Sequence, residues 1–196
     1  IGENITVISV GEENIEPVIR KSLAIGADNA IRISKKPTDS YSVAIEIAHY
    51  LKENPADLII AGRESIDYNG GAVPGMIAEI LGFPFINACI GLNLFEEKVS
   101  LVREVSGGKE TIATKLPLVI GGQKGLVEES ELRIPNMRGI MQARSKPLKV
   151  IEATNNDKLS MSISFEKPPE KKSCKLIDSE NVKELINLLQ NEAKVI

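Results

Sequence analysis

The chain is poor in the residues from which most site chemistry is built. Among 196 residues it has one histidine, His49, two cysteines, Cys89 and Cys174, and no tryptophan. A Ser-His-Asp triad or a multi-histidine metal centre therefore has little material to work with. The cysteines stand far apart and lack metal-ligand spacing, so they read as free thiols in a reducing compartment. No apolar run approaches the roughly 18 residues of a membrane helix. No signal peptide is visible, and the expectation is a soluble cytoplasmic protein. A formal net charge of -3 argues against a general nucleic-acid or anionic-membrane binder. There is no internal repeat and no low-complexity tract. What remains, 42% hydrophobic and 26% charged residues, is enough for one sizeable domain with a small appendage.

Taken in order, the first half alternates in period. Ile5 to Val10 reads as a strand ended by Gly11. Ile15, Val18, Ile19 and Leu23 form a helical stripe with Gly26 as its C′ residue. Ala30 to Ile33 is a second strand. Asp39 or Ser40 can cap the next helix, which shows Val43, Ala44, Ile47 and Leu51 on one face, with His49 off that stripe and Pro55 at the stop. Leu58 to Ala61 is a third strand that reads as buried, and Met76, Ile77, Ile80 and Leu81 mark a third helix. This alternation predicts right-handed crossovers and a parallel-rich, doubly wound α/β sheet. After Gly82 and Pro84 the stretches 86–94, 98–104 and 110–115 read as added antiparallel strands, with turns at Glu96-Glu97 and Gly107-Gly108. Leu116 to Ile120 is a further buried strand.

The connection between the third strand and third helix, AGRESIDYNGGAVPGM (61–76), holds four glycines. It sits where open α/β sheets bind ligands, outside the carboxyl ends of strands. Glycines let backbone approach a ligand, and the free N–H groups of a helix start favour an anion such as phosphate. The pattern is neither GxGxxG nor a P-loop, so a nucleotide site and a plain glycine-rich connection both stay open on these residues alone.

Residues 121–149 have few large aliphatics, and no acidic residue occurs between Arg133 and Lys149. Ile134, Met137, Ile140 and Met141 can form an apolar face on a short helix after Pro135. A basic, exposed segment rich in methionine and isoleucine suits an adaptable docking surface; the plainer alternative is a surface loop tucked down on the core. Asn155 to Asp157 reads as a polar break and Pro168 to Lys172 as a linker. Ser179 would then cap an amphipathic helix with Val182, Leu185, Ile186 and Leu189 on one face, part of an arm over 151–196 that packs on its own domain or a partner subunit.

Four blocks, SLAIGADNAIRI (22–33), ADLIIAGRESIDYNGGAVPGMIAEILGFP (56–84), LVREVSGGKETIATKLPLVI (101–120) and IPNMRGIMQARSKPL (134–148), occur in this order. Together they resemble the beta subunit of electron-transfer flavoprotein and its FixA-type relatives, over nearly the whole chain. The specific features are GRESID (62–67) and the downstream Pro135 with Ile140, Met141 and Ala143. The resemblance implies an adenine-nucleotide-binding, Rossmann-like α/β domain over 1–150 that pairs with an alpha subunit. That alpha subunit holds most of the FAD, and the beta subunit holds a structural AMP. The pair would act as an electron carrier rather than an enzyme, taking electrons from flavin dehydrogenases such as acyl-CoA dehydrogenases, as in fatty acid oxidation. It would deliver them to a membrane-bound quinone oxidoreductase.

By position, the AMP site would comprise Val10 and the loop Gly62, Arg63, Glu64, Ser65, Ile66, Asp67, Tyr68, Asn69, Gly70, Gly71, Ala72 and Val73. The recognition loop would be 125–147, with Met137 as its anchor and Ile140, Met141 and Arg144 beside it; Arg144 and Lys146 keep its basic character. Two lysines methylated in mitochondrial members are Gln142 and Ser145 here. Arg103 and Glu104 match a pair whose glutamate meets an arginine of the alpha subunit; an ordinary cross-strand charge pair is the alternative. The family carries about fifty residues ahead of the point matching Ile1, including a first strand, so the expected sheet is incomplete. Two alternatives remain at this stage: a FixA-like bifurcating subunit with a second FAD at the AMP position, and an adenine-nucleotide-binding regulatory module.

Overall fold

A computed structural model describes residues 4–95, 98–154, 158–171 and 174–196. The chain divides into two compact units, Ile1–Met161 and Ser162–Ile196. The first is α/β. Its elements are β1 (Thr6–Gly11), α1 (Glu16–Ala24), β2 (Asn29–Ser34), α2 (Ser40–Glu53), β3 (Leu58–Gly62), α3 (Val73–Leu81), β4 (Phe85–Phe95), β5 (Lys98–Val105), β6 (Gly108–Lys115), β7 (Leu118–Gly122), α4 (Met137–Ser145) and β8 (Leu148–Glu152). Single turns of 3-10 helix cover Glu13–Ile15 and Glu129–Glu131.

Local chemistry explains the helix ends. Pro17 and Pro74 lie in the first turns of α1 and α3, where a missing N–H costs nothing. Asp39 caps α2 by a reciprocal exchange with Ser42. Gly26 follows α1 with φ +137°, and the Ala27 N–H reaches back to the Ser22 carbonyl at 3.2 Å. Gly82 closes α3 at φ +70°.

The strands form two sheets. One is parallel, in the order β1-β2-β8; the other runs β3-β7-β4-β5-β6, parallel across β3-β7-β4 and antiparallel through β5 and β6. The sequence predicted the parallel pairing and the antiparallel extension. It did not predict β8, which pairs with β2 from Ala30↔Leu148 to Ser34↔Glu152. Strands β1 and β3 are each paired on one side only among the described residues. The expectation that β3 is buried is corrected accordingly: Ile60, at 56% exposure, lies open on an edge strand. The Glu96-Glu97 turn and the Asn155–Asp157 break lie outside the described residues.

Three apolar clusters hold the unit together. Alternation along β7 sends Leu118 and Ile120 to one face, with Ile86, Cys89, Val99 and Leu101. Val119 goes to the other face, with Ala44, Leu51, Ile77 and Ala78 of α2 and α3. Ile8 of β1 and Ile59 of β3 pack on that same helical layer, so the helices span both sheets. The third cluster, Ile19, Leu23, Ala27, Ala30 and Ala143, seats α1 and α4 on the first sheet. Cys89 belongs to the core; burial pushes its thiol pKa up, and the thiol donates to the Gly91 carbonyl at 3.2 Å. Both cysteines are free, Cys174 exposed. No helix among the described residues is long and apolar enough to cross a membrane.

In the second unit, α5 (Val182–Leu188) runs on into a π-helical turn, Leu189–Ala193. Its cap is Asn181 rather than the expected Ser179: Asn181 Oδ1 accepts from the Glu184 N–H at 3.3 Å, and its Nδ2 donates to the Glu184 carboxylate at 2.6 Å. Val182, Leu185 and Ile186 remain exposed.

Candidate functional site

The loop between β3 and α3 spans residues 63–72, with Gly62 ending the strand and Val73 already helical. Gly75, expected in the loop, instead lies in α3, where a Cβ would come within 3.3 Å of the Phe85 ring. The loop closes on itself. The Ser65 N–H donates to the Gly70 carbonyl at 2.9 Å, and the Tyr68 N–H donates to Asp67 Oδ1 at 2.9 Å. Hydrogen bonds from the Ser65 hydroxyl and the Tyr68 N–H hold the Asp67 carboxyl below the ordinary carboxylate range. Asp67 thus braces the loop from within. Asn69 takes φ +51°, a conformation that asparagine tolerates. A Cβ at Gly71 would meet the Arg63 carbonyl at 3.0 Å, so glycine is what lets the loop pass so close to its own start.

These residues fit a phosphate. α3 has no side-chain cap at Ala72, so the first-turn N–H groups are not satisfied by a cap of its own. Arg63 is the single basic residue from 62 to 73. Ile66 and Tyr68 project as exposed side chains. Val10 lies near the carboxyl end of β1, opposite Ile33 of β2. It and the loop share the α2/α3 layer through Ile8 and Ile59, but no strand hydrogen bond joins β1 to β3 among the described residues.

The second candidate region is α4. Its cap is Asn136, whose Oδ1 accepts from the Gly139 N–H at 2.8 Å. Ala143 is buried, while Met137 and Met141 are 75% and 68% exposed, and Ile134, Ile140 and Arg144 join them on the outer surface. The helix is fixed to α1 from beneath. A Cβ at Gly139 would sit 2.5 Å from the Ala24 carbonyl oxygen, so the two backbones touch there. Arg20 donates to the carbonyls of Ala143 and Lys146, at 2.8 and 2.7 Å. Lys146 donates to those of Leu23 and Ala27, at 3.0 and 2.6 Å. This corrects one expectation: Lys146 is not part of a basic outer face but an internal cap.

Arg103 and Glu104, neighbours on β5, have separate partners. Arg103 pairs across the hairpin with Glu110 at 2.6 Å, in register. Glu104 accepts from the Gln123 amide. His49 hydrogen-bonds Thr154 Oγ1 at 2.9 Å.

Sequence reasoning passed over Gln123 and Asn87. Gln123 follows Gly121-Gly122 at the carboxyl end of β7, beside the loop after β3, and that position was the available signal. Asn87 Oδ1 is buried beside Gly121 with no partner among the described residues. Nothing in the local sequence marks it.

Comparison with known proteins agrees with this geometry. Residues 1–156 match the family model described as electron transfer flavoprotein domain. The chain is 37% identical over 210 aligned residues to the electron transfer flavoprotein subunit beta of Bacillus subtilis (strain 168), covering 100% of this chain and 80% of that protein. It is 31% identical over 181 residues to the subunit beta of Syntrophomonas wolfei, covering 92% and 71%. It is 32% identical over 206 residues to the mitochondrial subunit beta of Arabidopsis thaliana, covering 99% and 78%. With its glycine-braced loop after β3 and its anchored, methionine-bearing α4, the chain belongs to the electron transfer flavoprotein family, among the beta subunits.

Proposed function

We propose that this chain is the nucleotide-holding, dehydrogenase-docking half of a heterodimeric electron carrier, with AMP bound at the loop 62–73. The observation that carries the AMP assignment is the loop itself. It combines a self-braced turn, close backbone approach at Gly71 and an uncapped helix start at α3. One phosphate group suits the donors present: Arg63 is the only cation from 62 to 73, and no lysine follows these glycines to reach a second phosphate. Val10, at the end of β1, would face the adenosine. The bound nucleotide would be structural, tying the β3–α3 connection to the rest of the unit.

The electron-carrying chemistry would be that of an FAD held mainly by the alpha subunit. This chain would supply two surfaces. Glu104 would meet the alpha subunit. The outer face of α4, with Met137, Ile140, Met141 and Arg144, would dock flavin dehydrogenases such as acyl-CoA dehydrogenases. The complex would pass electrons to a quinone oxidoreductase and work in the cytoplasm. Exposed methionines on a helix whose base is fixed suit repeated, transient contact with several partners.

The test is co-expression with the alpha subunit, denaturation of the purified complex, and quantification of released nucleotides. One AMP and one FAD per heterodimer is expected. Two FAD and no AMP would overturn the AMP assignment in favour of a bifurcating subunit. No nucleotide and no alpha partner would favour a regulatory module.

A further inference from the structure

β3 and β7 end side by side, with Gly62 and Gly122 as register partners, and each is followed at once by a long polar residue. The Arg63 N–H donates to the Gly122 carbonyl at 3.0 Å, and the Gln123 N–H donates to the Cys89 carbonyl at 2.9 Å. The two main chains are thereby fixed, and their side chains meet. Arg63 Nη1 donates to Gln123 Oε1 at 2.6 Å, and Gln123 Nε2 donates to a Glu104 carboxylate oxygen. A guanidinium only donates and a carboxylate only accepts. The orientation of the Gln123 amide is therefore set by its two neighbours, and no flipped arrangement satisfies both.

The three residues belong to three functional regions. Arg63 opens the glycine loop. Glu104 stands on β5. Gln123 begins the segment that leads from β7 to α4. Among the described residues the one carboxylate paired with Arg63 is that of Glu64, 3.7 Å away and itself exposed. A phosphate delivered to the loop offers a guanidinium a stronger, bidentate partner than a neutral amide oxygen. Once Arg63 turns to it, Gln123 Oε1 loses its donor, the amide is free to rotate, and Glu104 loses its fixed hydrogen bond.

We infer that Gln123 is a positioning residue that links Arg63 to Glu104, so that a nucleotide phosphate on the loop releases Glu104 for a cationic group of the alpha subunit. The inference rests on the proposed roles of the loop and of Glu104, and adds a coupling between them. Such a coupling is reciprocal: AMP tightens alpha-subunit binding by the same factor by which the alpha subunit tightens AMP binding.

The test measures the affinity of the full chain for its alpha subunit with and without saturating AMP. The wild-type chain should bind more tightly with AMP by a factor of about 5 or more, within the usual range of such couplings. In Gln123→Ala the factor should fall to about one, because neither neighbour has a partner to lose. Gln123→Glu keeps an acceptor for Arg63 but sets a carboxylate against Glu104, and it should lose the factor as well. An AMP effect that survives undiminished in both variants would overturn the proposal. So would a wild-type chain that binds AMP and the alpha subunit with no mutual effect. A wild-type chain that binds neither would instead remove the functional reading beneath it.

Discussion

Arg20 and Lys146 exchange helix ends. Arg20, on α1, donates to the carbonyls of Ala143 and Lys146 where α4 stops. Lys146, at the end of α4, donates to the carbonyls of Leu23 and Ala27 where α1 stops. Each helix leaves its last carbonyls without intrahelical partners, and a cation is the favoured partner there. The exchange fixes α4 at its carboxyl end without using any residue of its outer face.

Arg20→Met removes two charge-assisted hydrogen bonds and should cost about 1.5–3 kcal/mol in urea unfolding. Lys146→Met should cost a similar amount. Arg144→Gln, on the exposed side of the same helix, should leave stability within about 0.5 kcal/mol and weaken dehydrogenase docking instead. Equal stability losses at positions 144 and 146 would show that the two cations are not divided between structure and surface.

At Gly139 the constraint is steric. A methyl group there would lie 2.5 Å from the Ala24 carbonyl oxygen, a backbone atom that cannot swing aside. Gly139→Ala should push α4 away from α1 and cost about 1–3 kcal/mol, as overpacking does. The proposed docking face would move with it, so the KM for a dehydrogenase should rise while bound FAD per complex stays constant. An unchanged KM would mean that the placement of α4 does not matter for docking.

Met137 is the converse case, since it is three-quarters exposed. Met137→Ala should change stability by less than about 0.5 kcal/mol. Docking should suffer more, because burying a methionine contributes about 1.5–3 kcal/mol. That corresponds to roughly ten- to a hundredfold in the apparent affinity for the dehydrogenase. Steady-state transfer rates against dehydrogenase concentration give the KM; an unaltered curve would remove Met137 from the interface.

The contrast between Met137 and Lys146 shows how far the sequence could be read. Elements whose signal is local were legible: β1 through α3 follow from apolar period and from caps such as Asp39 and Gly26. Met137 stood out because it lies in a basic segment with few large aliphatics, where docking and a tucked-down loop were both open, and its anchor role came from the family resemblance alone. Lys146 was not legible, because its partners, Leu23 and Ala27, lie 123 and 119 residues away. Strand β8 was missed for the same reason. LKVIE is short and half polar, and only its register with β2, more than a hundred positions earlier, makes it a strand. Ser179 and Asn181 are both good caps, and the contact of Asn181 with Glu184 decided between them. The loop's glycines were visible, but the Arg63–Gln123–Glu104 chain required β3, β7 and β5 to be brought together first.

Asp39 gives a pH dependence whose sign can be worked out. Partial burial would raise its pKa. Hydrogen bonds from the N–H groups of Ser42, Ser160 and Leu159 and from the Ser42 hydroxyl outweigh that and bring it down to about 2, from an ordinary 3.8. A carboxyl depressed on folding adds stability that is fully present above 3.8 and is lost as pH falls towards 2. The bonds to Leu159 and Ser160, at 2.7 and 2.8 Å, also pin the end of the first unit to the start of α2. The stability gap between wild type and Asp39→Asn should therefore be constant from neutral pH down to about 5 and close below 3.8. A gap independent of pH through that window would show that the cap works without its charge.

Glu46 is a buried acidic residue, at 2% exposure on α2. A carboxylate so placed needs both a counter-charge and hydrogen bonds. Lys35, just beyond β2, supplies the charge at 3.1 Å and is itself largely buried. Thr154, just beyond β8, supplies its N–H at 2.9 Å and its hydroxyl at 3.2 Å. One side chain thus ties the ends of two paired strands to the helix above them. Glu46→Ala takes this carboxylate away from Lys35 and from the Thr154 N–H and should cost about 3–5 kcal/mol, the usual penalty for removing one member of a buried pair. Glu46→Gln keeps an acceptor for Thr154 and should cost less. Hydrogen exchange adds a readout that global unfolding does not. The amide of Thr154 should lose protection in Glu46→Ala before the amides of β2 do, since β2 is also held by β1. Simultaneous loss of protection in both would mean that Glu46 supports the sheet as a whole rather than the attachment of its last strand.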